Sequence, residues 1–152
     1  MGEYVRTTRE CTLDSMHPSL ADAIRAHVER YGMEDVLALA SICCETVSTK
    51  QKKKLFSSKA EVVIAGVVLT PKWLIWAGGK ENENPGVLSA RLQNLRVEDY
   101  EKSSMYKLMQ DTGLDVFGFP VGDELGSVFI GLGPEPAAQK FRDMLKEAIA
   151  EV

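Results

Sequence analysis

The sequence predicts a mostly β domain: about seven short antiparallel strands, one amphipathic helix ahead of them and a second helix closing the chain. Three observations carry that expectation. From Ser41 onward, short blocks of apolar and β-branched residues alternate with turn-forming clusters. "EVVIAGVVLT" and "KWLIWAGG", joined by "TPK", form a hairpin signal with a tight reversal. After "GPEP", residues Ala137, Ala138, Phe141, Met144, Leu145, Ala148 and Ile149 fall on one continuous helical stripe.

Taken in order, residues 1–16 are mixed and polar without a period, and read as a flexible or loosely docked arm. Pro18 suits the first position of a helix, "SLAD" reads as a weak capping box, and Leu20, Ile24, His27, Val28 and Tyr31 keep helical spacing up to Gly32. "MEDVLALAS" adds a helical turn before the β-rich "SICCETVST". In the hairpin that follows, Val62, Ile64 and Val68 alternate with Val63, Ala65, Val67 and Leu69. Both faces are therefore apolar, and the outer one needs a cover, either the 18–31 helix or a second copy of the chain. "GKENENPG" is a hairpin turn, "VLSARLQNLRVEDY" one bent strand or two, and "EKSSMYKLMQDTG" irregular. "LDVFGF" and "GSVFIGLG" are short strands separated by the turn "PVGDEL". In the closing helix, Glu135 near the start and Lys146 near the end both suit the helix dipole.

"GVVLTPKWLIWAGG" resembles the central hairpin of bacterial pleckstrin-homology-like and GRAM-like domains. "VLSARLQNLRVEDY" is similar to the next strand of that family, and "VFGFPVGDELGSVFIGLGPEPAAQKFRDMLKEAI" to its strand-strand-helix close. The resemblance covers residues 36–150. It implies two near-orthogonal antiparallel sheets forming a partly open barrel, with Phe141 and Leu145 of the C-terminal helix in its mouth. The chain would then divide into an N-terminal arm and helix at 1–32 and a PH-like barrel with its helix at 33–152. The resemblance also implies binding of lipid headgroups or protein partners rather than catalysis.

Composition bounds the partners. The net charge is −4, so the whole chain is no electrostatic match for nucleic acid, which is not expected as a partner. Residues 50–72 nevertheless sum to +5, and five lysines, Lys50, Lys52, Lys53, Lys54 and Lys59, fall within ten positions. On the family's pattern they occupy the hairpin that clasps phosphates in lipid-binding members. The following strand lacks the basic residue those members use, however, and the cluster contains no arginine for bidentate contact. The plain reading is a solvated hairpin that lysines keep from pairing with its neighbours; the alternative is diffuse attraction to an anionic lipid surface.

Trp73 and Trp76 lie on opposite faces of their strand, and together with Ile24 and Val28 they are the candidates for an interaction surface. His27 lies on the apolar side of its helix and reads as a core or interface residue. Cys43 and Cys44 point to opposite faces of a strand and read as small apolar fillers. No metal or cofactor is expected, and the clustered Glu98, Asp99 and Glu101 lack a histidine or nucleophile beside them. No apolar run is long enough to span a bilayer and three cysteines give no disulfide framework, so a reducing cytoplasm is the expected location. The function expected is a non-catalytic interaction or scaffolding module, self-association included. Weak anionic-membrane binding is one alternative, and a small enzyme of unrecognised type is the other.

Overall fold

The computed structural model describes residues 4–50 and 61–152. Eight strands form two antiparallel sheets among the described residues. The larger has the order β1 (Tyr4–Cys11), β2 (Ile42–Lys50), β3 (Val62–Leu69), β4 (Trp73–Lys80) and β5 (Gly86–Arg91); the smaller runs β6 (Arg96–Asp99), β7 (Gly113–Val121) and β8 (Glu124–Gly131). Among the described residues there are also three α-helices: α1 (Pro18–Arg30), the single turn α2 (Glu34–Leu37) and α3 (Pro136–Glu151). The sheets do not close on each other as a barrel.

Every strand of the larger sheet pairs with its neighbour in the sheet, and β3 and β4 carry the two-faced pattern that sets the layering. Ile64, Val68, Ile75 and Ala77 face outward under α1, where they meet Leu20, Ala21, Ile24 and Val28. The opposite face, with Val67, Leu69 and Leu74, meets Leu114, Val116 and Phe119 of the smaller sheet and Phe141 and Leu145 of α3. Two separate cores result, and the larger sheet is the wall between them. The α1 cover is thus supplied from within the chain. Gly66 is part of the fit, because a Cβ there would come within 2.8 Å of the Met16 sulfur.

Two expectations need correction. Tyr4–Cys11 are not an arm, because they pair along their whole length with β2, from Tyr4 opposite Lys50 to Cys11 opposite Cys43. The helix cap is also displaced: His17, not Ser19, occupies the N-cap, and its Nδ1 accepts from the Ser19 backbone N–H at 3.3 Å, with Pro18 at the first turn. "VLSARLQNLRVEDY" resolves as two strands in different sheets, β5 and β6. A 3-10 turn at Leu92–Asn94 joins them, and buried Leu92 and Leu95 hold it. Gly118 lets this corner close. Its φ of +121° is open only to glycine, and a Cβ there would lie 2.1 Å from the Asn94 carbonyl oxygen. The ladder between β7 and β8 shifts register at the same point, between Phe117 and Phe119.

Hydrogen bonds also hold α1 over its sheet. Glu45, buried on the outer face of β2, takes the Arg9 guanidinium at 2.9 Å and accepts from the His17 backbone N–H, which lies immediately before α1. Further along the helix, His27 Nε2 lies 2.9 Å from Ser89 Oγ of β5. Burial, with a smaller contribution from Arg30, holds the His27 pKa below its ordinary 6.5.

Ile24 has no exposed surface, so Ile24→Ala leaves a cavity under α1 and should cost about 3 kcal/mol in urea unfolding, whereas exposed Leu39→Ala should change stability by less than about 0.5 kcal/mol. The lowered His27 pKa means that the unfolded chain binds more protons near pH 6.5 than the native one does. Stability should therefore fall as pH drops through 6.5. His27→Gln keeps a partner for Ser89 and should flatten that part of a melting-temperature profile against pH.

Candidate functional site

A groove of about 750 Å³ lies where the N-terminal half of β1 faces the start of α3. Tyr4, Val5, Arg6 and Thr7 all line it. Side chains of consecutive strand residues point to opposite faces, so what these four share along the groove is the main chain of a sheet edge. The edge is finished further along. Thr8 turns its backbone N–H away from β2 to donate to Glu135 Oε1 at 2.7 Å, and the Gly133 backbone N–H donates to Thr8 Oγ1 at 2.9 Å. Gly133 sits so close to the Arg6 carbonyl that a Cβ there would lie 2.6 Å from its oxygen. Tyr4 and the N–H side of Arg6 therefore offer the open stretch of edge.

The opposite wall is ionic. Arg142 of α3, 9% exposed, donates to Asp99 Oδ1 at 2.8 Å, to Glu101 Oε2 at 2.7 Å and to the Gly113 carbonyl at 3.2 Å. Lys146, one turn on, donates to Asp99 Oδ2 at 2.8 Å. Burial alone would push the Asp99 carboxyl up, but the bonds from Lys146 and Arg142 outweigh it and hold the pKa below the ordinary 3.8. Arg6 forms the floor between the sheets. It grips Asp111 with Nε at 2.9 Å and Nη2 at 2.7 Å, donates to Ser48 Oγ at 2.6 Å, and stacks against Tyr4 and Phe129.

The cations of this site are thus engaged by its own carboxylates. Among the described residues, no histidine or cysteine lines the groove and no group of three His, Cys, Asp or Glu side chains is placed to hold a metal.

The residues singled out from sequence are scattered. Lys50 ends β2 with its Nζ 3.9 Å from Glu61 Oε2, and its backbone N–H donates to the Glu61 carbonyl across the β2–β3 pair. Lys52, Lys53, Lys54 and Lys59 lie outside the described residues. Ile24 and Val28 must be corrected: they are 0% and 2% exposed, packed inward under α1, and are not surface for a partner. Trp73 is half-buried on the α1 side, with Arg91 5.0 Å from its ring centre. Trp76 is half-buried on the inter-sheet side, folded over Gly78, and its Nε1 is buried without a hydrogen-bond partner among the described residues. Sequence reasoning missed Arg6, Glu135 and Arg142 as builders of the groove. The one available signal was the unusual density of charge in "RTTRE" and "VEDYEK", two stretches that pair with distant elements.

No family model matches the chain, and neither a curated protein nor a solved structure matches it.

Removing the Arg142 guanidinium would take from Glu101 its bonded cation and leave Asp99 with Lys146 and Lys102, so Arg142→Ala should cost about 2 kcal/mol in chemical unfolding. Asp99→Asn tests the same network by pH. The depressed Asp99 pKa gives stability that is present above 3.8 and lost as pH falls through the native value, so the variant should show a shallower acid limb in its unfolding profile.

Proposed function

We propose that the chain is a non-catalytic interaction module of PH-like architecture, working in the cytoplasm, and that it holds an extended segment of a protein partner in the groove beside β1. The observation that carries this reading is the groove's composition: a main-chain edge on one side and mutually neutralised side chains on the other. An extended peptide satisfies such an edge with its own N–H and C=O groups, and specificity then comes from neighbouring side-chain pockets. The 3-10 turn that follows the groove's acidic wall adds apolar surface. Met105, Leu108 and Met109 are all exposed in and just after Ser104–Lys107, Leu108 at 83%. The PH-like assignment draws on the two antiparallel sheets and on α3, whose Phe141 and Leu145 fill the space between them.

The test is selection of binders from a random peptide library, followed by amide chemical-shift mapping on the full chain. Shifts concentrated at Tyr4–Thr7 and 133–139, weakened by Tyr4→Pro, are the expected result. Selected peptides that perturb only other surfaces would remove the groove from the proposal. Binding to phosphatidylserine vesicles that disappears when Lys52, Lys53, Lys54 and Lys59 become glutamine would favour the membrane alternative instead.

A further inference from the structure

β1 and β2 place two thiols opposite each other. Cys11, the last residue of β1, is the register partner of Cys43 on β2. The outward Thr8 N–H makes Thr8 and Thr46 a non-hydrogen-bonded pair, their hydroxyls 2.7 Å apart. Three residues along the same ladder, Cys11 and Cys43 are a hydrogen-bonded pair, whose Cα atoms in such ladders stand about 5.5 Å apart. A disulfide spans Cα separations of about 4.4–6.8 Å and Cβ separations of about 3.5–4.5 Å, so closure draws together two Cβ atoms that stand about 5.5 Å apart in such a pair. Directly opposed residues also share a face. Cys43 belongs to the core under α1 and Cys11 packs against it, while Cys44 points into the other core. All three cysteines are free thiols, Cys11 half-buried and Cys43 buried.

We propose that Cys11 and Cys43 form a reversible cross-strand disulfide by exchange with a low-molecular-weight disulfide, and that this bond locks α1 over the outer face of the sheet. Cys11, the more accessible thiol, loses its proton and attacks one sulfur of the small disulfide. That S–S bond breaks, and the leaving thiolate takes up a proton. Cys43 then loses its proton and attacks the Cys11 sulfur, expelling the second small thiol, also protonated. Two cysteines are oxidised by two electrons in all, and one small disulfide is reduced to two thiols. The closed loop contains residues 12–42, hence the whole of α1 and α2. Burial pushes the Cys11 thiol up to about 11 and raises Cys43 as well. Attack from such thiols is slow.

The experiment incubates the native full chain with oxidised glutathione, blocks remaining thiols with an alkylating agent, and measures intact mass, peptide linkage and melting temperature. The expected product has lost about 2 Da, carries one alkyl group, links the Cys11 and Cys43 peptides, and melts about 10 °C higher than the reduced chain. Cys44→Ser should form it equally, whereas Cys43→Ala should stop at a glutathione adduct on Cys11. A wild-type chain that retains that adduct without closing, or that links Cys44 instead, would overturn the proposal, as would native protein left wholly reduced at equilibrium with excess oxidised glutathione.

Discussion

The fold depends on one constraint: the larger sheet is apolar on both sides. A sheet with one wet face needs one partner layer, and this sheet needs two. Ile64, Ile75 and Ala77 on one side, and Leu69 and Leu74 on the other, have no exposed surface to speak of. The long insertion between β1 and β2 answers the first demand, since it carries α1 across the outer face. The smaller sheet and α3 answer the second. Both cores hang on the same two central strands, so a loss of order in β3 or β4 would release the helices on both sides together.

Charge fixes how the layers are joined. Glu45 ties the entry of α1 to β2 through Arg9 and the His17 N–H, Arg6 ties the larger sheet to the loop before β7, and Arg142 ties α3 to the exit of β6. Each is a partly or wholly buried ion between elements distant in sequence. Such pairs add little net stability over apolar replacements, but a misplaced layer would leave an ion without its partner. They therefore act mainly on position. They also explain the groove's chemistry, because the side chains that build it are occupied in holding the layers together.

The parts legible in the sequence are those written in apolar periodicity. The stripe of α1, the two-faced hairpin, the opposite placement of Trp73 and Trp76 and the stripe of α3 all follow from spacing alone. β1 was not legible for a physical reason. It is an edge strand whose one face carries Arg6, Thr8 and Glu10, polar residues that find Asp111, Thr46 and Lys140 from remote segments, so "YVRTTREC" shows no apolar alternation. The same misreading hid both the groove and the facing thiols, since each requires β1 to lie beside β2. The corner in "VLSARLQNLRVEDY" was legible only as one bent strand or two, because Leu92 and Leu95, buried three residues apart, fit neither a strand nor a helix of useful length.

The bonds along β1 also bear on the order of folding. Its neighbour β2 begins only after the whole α1 insertion, Arg6 closes on Asp111 across 105 positions, and Thr8 and Glu10 reach Glu135 and Lys140 across 127 and 130. Contacts of that separation form late, because the chain must first lose the entropy of a large loop. On a ribosome, β1 cannot be completed until Glu135 and Lys140 have emerged. The N-terminal edge then waits, half-paired, for the C-terminal helix, which makes that edge the most exposed to wrong partners while the protein is being made.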